Sequence, residues 1–209
     1  SMKRSLEPVL KELAAEKFLL LSGPRQVGKT TLAKDWLSSF KGLYLNWDIP
    51  PDREKILRLF KKPPAESHLV LDEIHKYARW KSWLKGLYDK EGKTLQVVVT
   101  GSATLDLFQR GGDSLLGRYN LLRLHPLSLG EITHQRLIPP PASAENWLAP
   151  GTFKAFNESW SRLALRSGFP EPYLRNEDRH YQRWASRRSQ LLIQEDIQSL
   201  TDIRHLSLI

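Results

Sequence analysis

Hydrophobic positions in the first two-thirds of the chain switch between two periods. Leu6, Val9, Leu10, Leu13 and Ala14 recur at helical spacing, with Lys3, Arg4, Glu7, Lys11 and Glu12 on the other face, which predicts an amphipathic helix. Phe18-Leu19-Leu20-Leu21 is an unbroken apolar run that stops at Ser22-Gly23-Pro24, the pattern of a buried strand breaking into a loop. After Lys29 the apolar positions Leu32, Ala33, Trp36, Leu37 and Phe40 return to helical spacing, so that loop opens a helix. Leu43-Tyr44-Leu45 predicts a second strand, and residues 52–61 a helix stopped by Pro63-Pro64. His68-Leu69-Val70-Leu71 predicts a third strand that ends at Asp72-Glu73, followed by a helical stripe of Trp80, Trp83, Leu84, Leu87 and Tyr88. Residues 95–99 form a fourth strand leaving through Thr100-Gly101-Ser102, and 119–124 a fifth. Buried strands separated by helices need crossover connections, so the pattern implies a parallel sheet covered on both faces. The expectation is a three-layer α/β domain over residues 1–135. Residues 136–152, with Pro139-Pro140-Pro141 and Pro150, read as an exposed connector. From Phe153, Phe156, Trp160, Leu163 and Ala164 onward, residues 153–209 read as a small, lid-like helical region.

The loop after the first strand carries chemistry. Gly23-Pro24-Arg25-Gln26-Val27-Gly28-Lys29-Thr30 is a glycine, four residues, then Gly-Lys-Thr: the P-loop pattern. Glycines allow a tight turn in which several N–H groups point at one phosphate, and the following helix adds its positive N-terminal end. Lys29 can then reach the β- and γ-phosphates while the Thr30 hydroxyl ligates Mg²⁺. With Thr31 these residues form the candidate nucleotide-binding stretch. A chance glycine turn gives the same spelling, but a buried strand before it and a helix after it are the context that a phosphate site requires.

Asp72 and Glu73 end a buried strand. Two adjacent carboxylates there repel each other unless a cation is near, and a parallel sheet brings this tip to the ligand-binding edge beside the loop. Asp72 is the candidate Mg²⁺ acid. Glu73 is the candidate base that orients the attacking water. The plain alternative is a helix start enriched in acids. Thr100 and Ser102, at the next tip, are candidates to sense the γ-phosphate, Thr100 the stronger, although Thr-Gly-Ser is also ordinary turn chemistry.

Together LSGPRQVGKTTLAKDWL, LVLDEIHK, VVVTGSATLDLF, LLGRYNLLRLHPLSLGE and SGFPEPYL resemble a prokaryotic AAA-like ATPase family, close to the AAA+ and STAND-type P-loop ATPases. The resemblance implies a three-layer P-loop NTPase core, then a small helical region, then a further C-terminal domain that would begin where this chain ends. It carries Lys29 and Thr30 over as phosphate and Mg²⁺ contacts, Asp72 as the Mg²⁺ acid and Glu73 as the catalytic base. Leu-Leu-Gly-Arg at 115–118 is family-like as well. Arg118 is then a candidate finger reaching a neighbouring subunit, with Arg110 as its rival and a structural pairing with a carboxylate as the bland alternative.

Asp72-Glu73-Ile74-His75 also spells DExH, and Ser102-Ala103-Thr104 a helicase Ser-Ala-Thr motif. Lys29 lies too close to Asp72 for such helicases, however, and the remaining chain cannot hold a second RecA-like domain. His75 then reads as a surface or hinge residue. The guanine-recognition element Asn-Lys-x-Asp does not occur, and a P-loop kinase does not need Glu73 beside the Mg²⁺ acid. ATP hydrolysis with Mg²⁺ is the expected activity. A switch with little turnover and a nucleic-acid-stimulated ATPase are the alternatives.

Composition narrows this further. The 209 residues contain no cysteine, which excludes disulfides, thiolate metal sites and a cysteine nucleophile. No apolar run approaches the ~18 residues of a membrane span, and the charged N-terminal helix does not read as a signal peptide; the cytoplasm is the expected compartment. A formal charge of +9 favours polyanionic partners. If residues 171–189 are one helix, Arg175, Arg179, Arg183 and Arg187 form a stripe able to meet nucleic-acid phosphates. The alternative is a solvated face with local pairs such as Glu171–Arg175, and with Tyr181 and Trp184 in a core. Expected partners are ATP or ADP, further copies of the chain, and nucleic acid through that stripe.

Overall fold

Five apolar runs become five parallel strands of five residues each: β1 Phe18–Ser22, β2 Gly42–Asn46, β3 His68–Asp72, β4 Gln96–Thr100 and β5 Tyr119–Arg123. The structure is a computed structural model and describes residues 4–101, 115–133 and 152–191. The strands lie in the order β2-β3-β4-β1-β5. Because β1 inserts between β4 and β5, its loop opens where crossovers diverge to either side, the usual ligand position in an open α/β sheet. Register aligns the carboxyl tips: Asn46 pairs with Asp72, Asp72 with Thr100, Leu21 with Thr100 and Ser22 with Arg123.

Alternate strand residues face opposite layers. Phe18, Leu20, Leu45, Leu69, Leu71, Val97 and Val99 pack on one side with Ile56 of α3 (Pro50–Arg58) and with Trp80, Trp83, Leu84 and Leu87 of α4 (Trp80–Glu91). On the other side lie α1 (Glu7–Glu16) and α2 (Lys29–Leu37), which bury Leu10, Ala14, Leu32, Ala33 and Trp36. The three-layer expectation is met. The helix expected over 52–61 starts earlier, because Pro50 and Pro51 fit a first turn that needs no N–H donors. A four-residue helix, α5 (Leu129–Ile132), follows β5 and is closed by a Ser128–Glu131 capping box.

The chain divides into two compact units, Ser1–Pro140 and Pro141–Ile209. The expected connector falls almost wholly outside the described residues. Within the second unit are α6 (Thr152–Arg166), α7 (Pro170–Arg175) and α8 (Asp178–Leu191). Phe169 lies 5.3 Å from Trp184, and the Arg188 guanidinium sits 3.8 Å over the Phe169 ring. Arg162 donates to the Tyr173 and Leu174 carbonyls, tying α6 to the end of α7.

The single helix assumed over 171–189 is not formed. Asn176 adopts the left-handed conformation (φ 53°), ends α7 and separates Arg175 from the other three arginines. Arg175 pairs instead with Glu177, and Glu171 with His180, so the expected Glu171–Arg175 pair is replaced. Arg179, Arg183 and Arg187 remain together on the exposed side of α8, and Trp184 is buried.

Candidate active site

The loop between β1 and α2 has the backbone its glycines permit. Gly23 has φ 142°, and a Cβ there would stand 2.3 Å from the Leu124 carbonyl oxygen, so no side chain fits. Gly28, at φ 98°, turns the chain into α2. Gln26 is also left-handed (φ 65°), while Val27 is fully buried and anchors the loop's far side. Pro24 and Arg25 are half-buried, Gln26 exposed, and Thr31 lies on the exposed face of the helix's first turn. The Lys29 ammonium, only 8% exposed, donates to the carbonyls of Gly23 (2.9 Å) and Pro24 (2.8 Å). These are loop acceptors that it can exchange for phosphate oxygens.

Asp72 is the hub. Its side chain is buried and accepts three hydroxyls: Thr30 at 3.0 Å and Tyr44 at 2.6 Å on Oδ2, and Thr100 on Oδ1. The sequence suggests Thr30 and Asp72 as joint Mg²⁺ contacts and Thr100 as a γ-phosphate sensor, but it gives Tyr44 no role. Its signal is the period-two pattern of β2: Tyr44 lies two residues before Asn46, the pairing partner of Asp72, and so shares its face. Burial, then the hydrogen bond and charge of Asp72, push the Tyr44 phenol far above its ordinary range, so it stays a donor. Thr100 donates directly to Asp72, so its hydroxyl serves the carboxylate rather than standing free.

Glu73 follows in a left-handed backbone (φ 58°), held by its N–H bond to the Thr100 carbonyl. Its carboxylate lies 3.3 Å from the Lys76 ammonium and 3.8 Å from His75 Nε2. Lys76 also reaches Asp48 at 2.5 Å. Burial works against the Lys76 charge, but Asp48 and Glu73 keep it above the ordinary lysine range. Of the two readings of His75, surface or hinge, the surface one is corrected: its side chain is only 10% exposed and lies beside Glu73. Burial lowers its pKa; Glu73 opposes that shift, while Lys76, Arg25 and Lys29 reinforce it. His75 is therefore neutral at pH 7.

Arg118 immediately precedes β5, at the amino end of the sheet, about 16 Å along the strand from the tips. There it pairs with Asp89 at 2.6 Å. Arg110 and Ser102 lie outside the described residues.

This strand order, with a glycine loop between the central strand and its helix, defines a P-loop nucleoside-triphosphatase fold. The chain belongs to the family described as AAA domain, whose model matches residues 15–133. Uncharacterized proteins of Mycobacterium bovis and Mycobacterium tuberculosis are each 26% identical to it over 162 residues, covering 76% of this chain and 35% of theirs. The chain thus spans about a third of the length of the curated relatives it matches. Thermotoga maritima RuvB, a Holliday junction branch migration motor, superposes with a TM-score of 0.51 at 18% identity, over 83% of this chain and 60% of that one. An alanine-to-serine mutant of RuvB gives 0.51 at 19%, over 84% and 61%. At such identities the likeness is one of fold. Among the described residues, no helix is long and apolar enough to cross a membrane.

Proposed function

We propose that this AAA domain binds ATP with Mg²⁺ at the shared edge of β1, β3 and β4, hydrolyses it, and passes the resulting change to an appended domain or partner. The observation that carries this reading is the 3.0 Å bond between Thr30 and Asp72, side chains 42 positions apart that converge from the glycine loop's helix and from β3. Both offer the hard oxygen donors that Mg²⁺ takes, and the ion would share its remaining ligands with phosphate oxygens and water. Bound there, Mg²⁺ supplies charge neutralisation across the β- and γ-phosphates.

The chain's own residues do the rest. Lys29 leaves the Gly23 and Pro24 carbonyls for the phosphates. Tyr44 and Thr100 fix the orientation of the Asp72 carboxylate, because both hydroxyls donate to it. Glu73 orients a water and takes its proton as the water oxygen bonds to the γ-phosphorus and ADP departs. Glu73→Gln retains Mg·ATP binding and loses turnover by ~10²–10⁴-fold. Unchanged steady-state hydrolysis in that variant removes Glu73 from the mechanism.

A second reading, a switch with little turnover, is favoured by the ion pair that holds Glu73 to Lys76, with the neutral His75 ring beside it. It predicts slow hydrolysis that rises when Arg118 arrives from a neighbouring copy. A nucleic-acid partner is supported by α8, where Arg179, Arg183 and Arg187 are exposed and the one carboxylate of the helix, Asp178, is engaged by Arg166 at 2.6 Å. Replacing the three arginines with glutamine should flatten the log–log salt dependence of duplex DNA binding by about 2.7; an unchanged slope excludes this face.

A further inference from the structure

Arg4 joins three segments that are remote in sequence. Its Nε meets the Glu131 carboxylate at 2.9 Å, one terminal nitrogen donates to the Val27 carbonyl at 3.0 Å, and the other to the His125 carbonyl at 2.5 Å. Both side chains of the ion pair are withdrawn from water, at 9% and 6% exposure. Glu131 also accepts the Ser5 N–H and hydroxyl on Oε1, and the Ser128 N–H and hydroxyl on Oε2. Every oxygen of that carboxylate is thus committed. Burial opposes its charge, but these donors hold its pKa below the ordinary glutamate range.

Val27 is the residue before Gly28, the left-handed position that starts α2 and places Lys29 and Thr30. One residue before His125, the Leu124 carbonyl closes the space over Gly23. The segment after β5 therefore touches the phosphate loop at both ends, directly at Gly23 and through Arg4 at Val27. A guanidinium suits this job because its planar fork satisfies a carboxylate and two carbonyls in fixed directions, which an ammonium cannot do.

We propose that Arg4 and Glu131 are positioning residues for the phosphate loop: a clamp that fixes the carbonyl of Val27 and thereby sets nucleotide affinity. The proposal rests on the reading of the loop as a nucleotide site. It makes the turn after β5 part of the affinity-determining machinery, so that strain on that turn is felt at the loop.

The test is calorimetric titration of the full chain and its variants with Mg·ADP, alongside thermal melting. Arg4→Ala and Glu131→Gln each weaken Mg·ADP binding about tenfold, and the double variant is no weaker than Arg4→Ala alone, because both remove one clamp. Arg4→Lys is the discriminating variant. It retains a charge for Glu131 but cannot also hold both carbonyls, so it melts closer to the parent than Arg4→Ala does and still binds about tenfold more weakly. Should Arg4→Ala fail to fold, Arg4→Lys and Glu131→Gln decide. Variants that melt earlier but bind Mg·ADP as the parent does reduce the clamp to a structural tie and overturn the proposal. A parent that binds no Mg·ADP overturns the nucleotide reading, and the clamp with it.

Discussion

Glu73 stands in a left-handed backbone that suits glycine better (φ 58°). Glu73→Gly and Glu73→Ala form a matched pair: both delete the carboxylate and its contacts with Lys76 and His75, and they differ only in backbone preference. An L-residue in this region costs about 1–2 kcal/mol that glycine does not incur. Glycine gives back about 0.4–1 kcal/mol through the greater freedom of its unfolded chain. At the midpoints of those ranges the balance favours Glu73→Gly over Glu73→Ala by about 0.8 kcal/mol, or about 2–3 °C in melting temperature for a chain of this size. Differential scanning calorimetry without nucleotide reads the gap, and a phosphate-release assay confirms that both variants have lost turnover. An Ala variant that melts with or above the Gly variant refutes the reasoning, because the strain would then be absent. The expected order means that the chain keeps a glutamate where its backbone prefers glycine, which is how strain held for a functional side chain shows itself.

Tyr44→Phe keeps the ring under the Lys34 ammonium (4.1 Å) and removes only the hydroxyl that donates to Asp72. A loss of about 1.5 kcal/mol is expected for a bond to a charged acceptor, seen as a melting temperature lower by about 3–6 °C; an unchanged melt places the hydroxyl elsewhere. His75 is held neutral with a lowered pKa, so its contribution to stability is complete above its unfolded value near 6.5 and is lost as pH falls through the lower folded value. Between pH 7 and 5 the parent should lose stability faster than His75→Gln, measured by denaturant titration; parallel pH profiles contradict the assignment.

The parts legible in the sequence were those encoded by local spacing. A four-residue apolar run ending at Ser22 and a helical stripe after Lys29 placed the phosphate loop, and three apolar residues after His68 placed the acidic tip at Asp72. What escaped depended on register or on a single backbone angle. Tyr44 reaches Asp72 because β2 and β3 pair with Asn46 opposite Asp72, a register that spacing within either strand does not state. Arg175 left the basic stripe because Asn176 went left-handed, which an arginine at every fourth position cannot reveal. Arg4 finds Glu131 across 127 residues, a distance over which periodicity carries no information.

The same topology that gathers the tips separates Arg118 from them. Parallel pairing of β5 with β1 puts Tyr119 opposite Phe18 and Arg123 opposite Ser22, so Arg118 stands at the opposite edge from the glycine loop. No side chain spans five residues of strand, so Arg118 cannot serve the nucleotide of its own chain. Two roles remain: an exposed tie to Asp89, or a charge delivered to another copy. Exposed ion pairs contribute little to stability, so a purely structural Arg118 predicts that Arg118→Ala hydrolyses ATP as the parent does at every protein concentration. A delivered charge predicts specific activity that rises with concentration in the parent and stays at its dilute value in Arg118→Ala, with nucleotide affinity equal in both. Asp89→Ala supplies the control, since it breaks the same ion pair and leaves the guanidinium in place. It should keep the concentration-dependent rise, and a flat profile in the parent dismisses the delivered charge altogether.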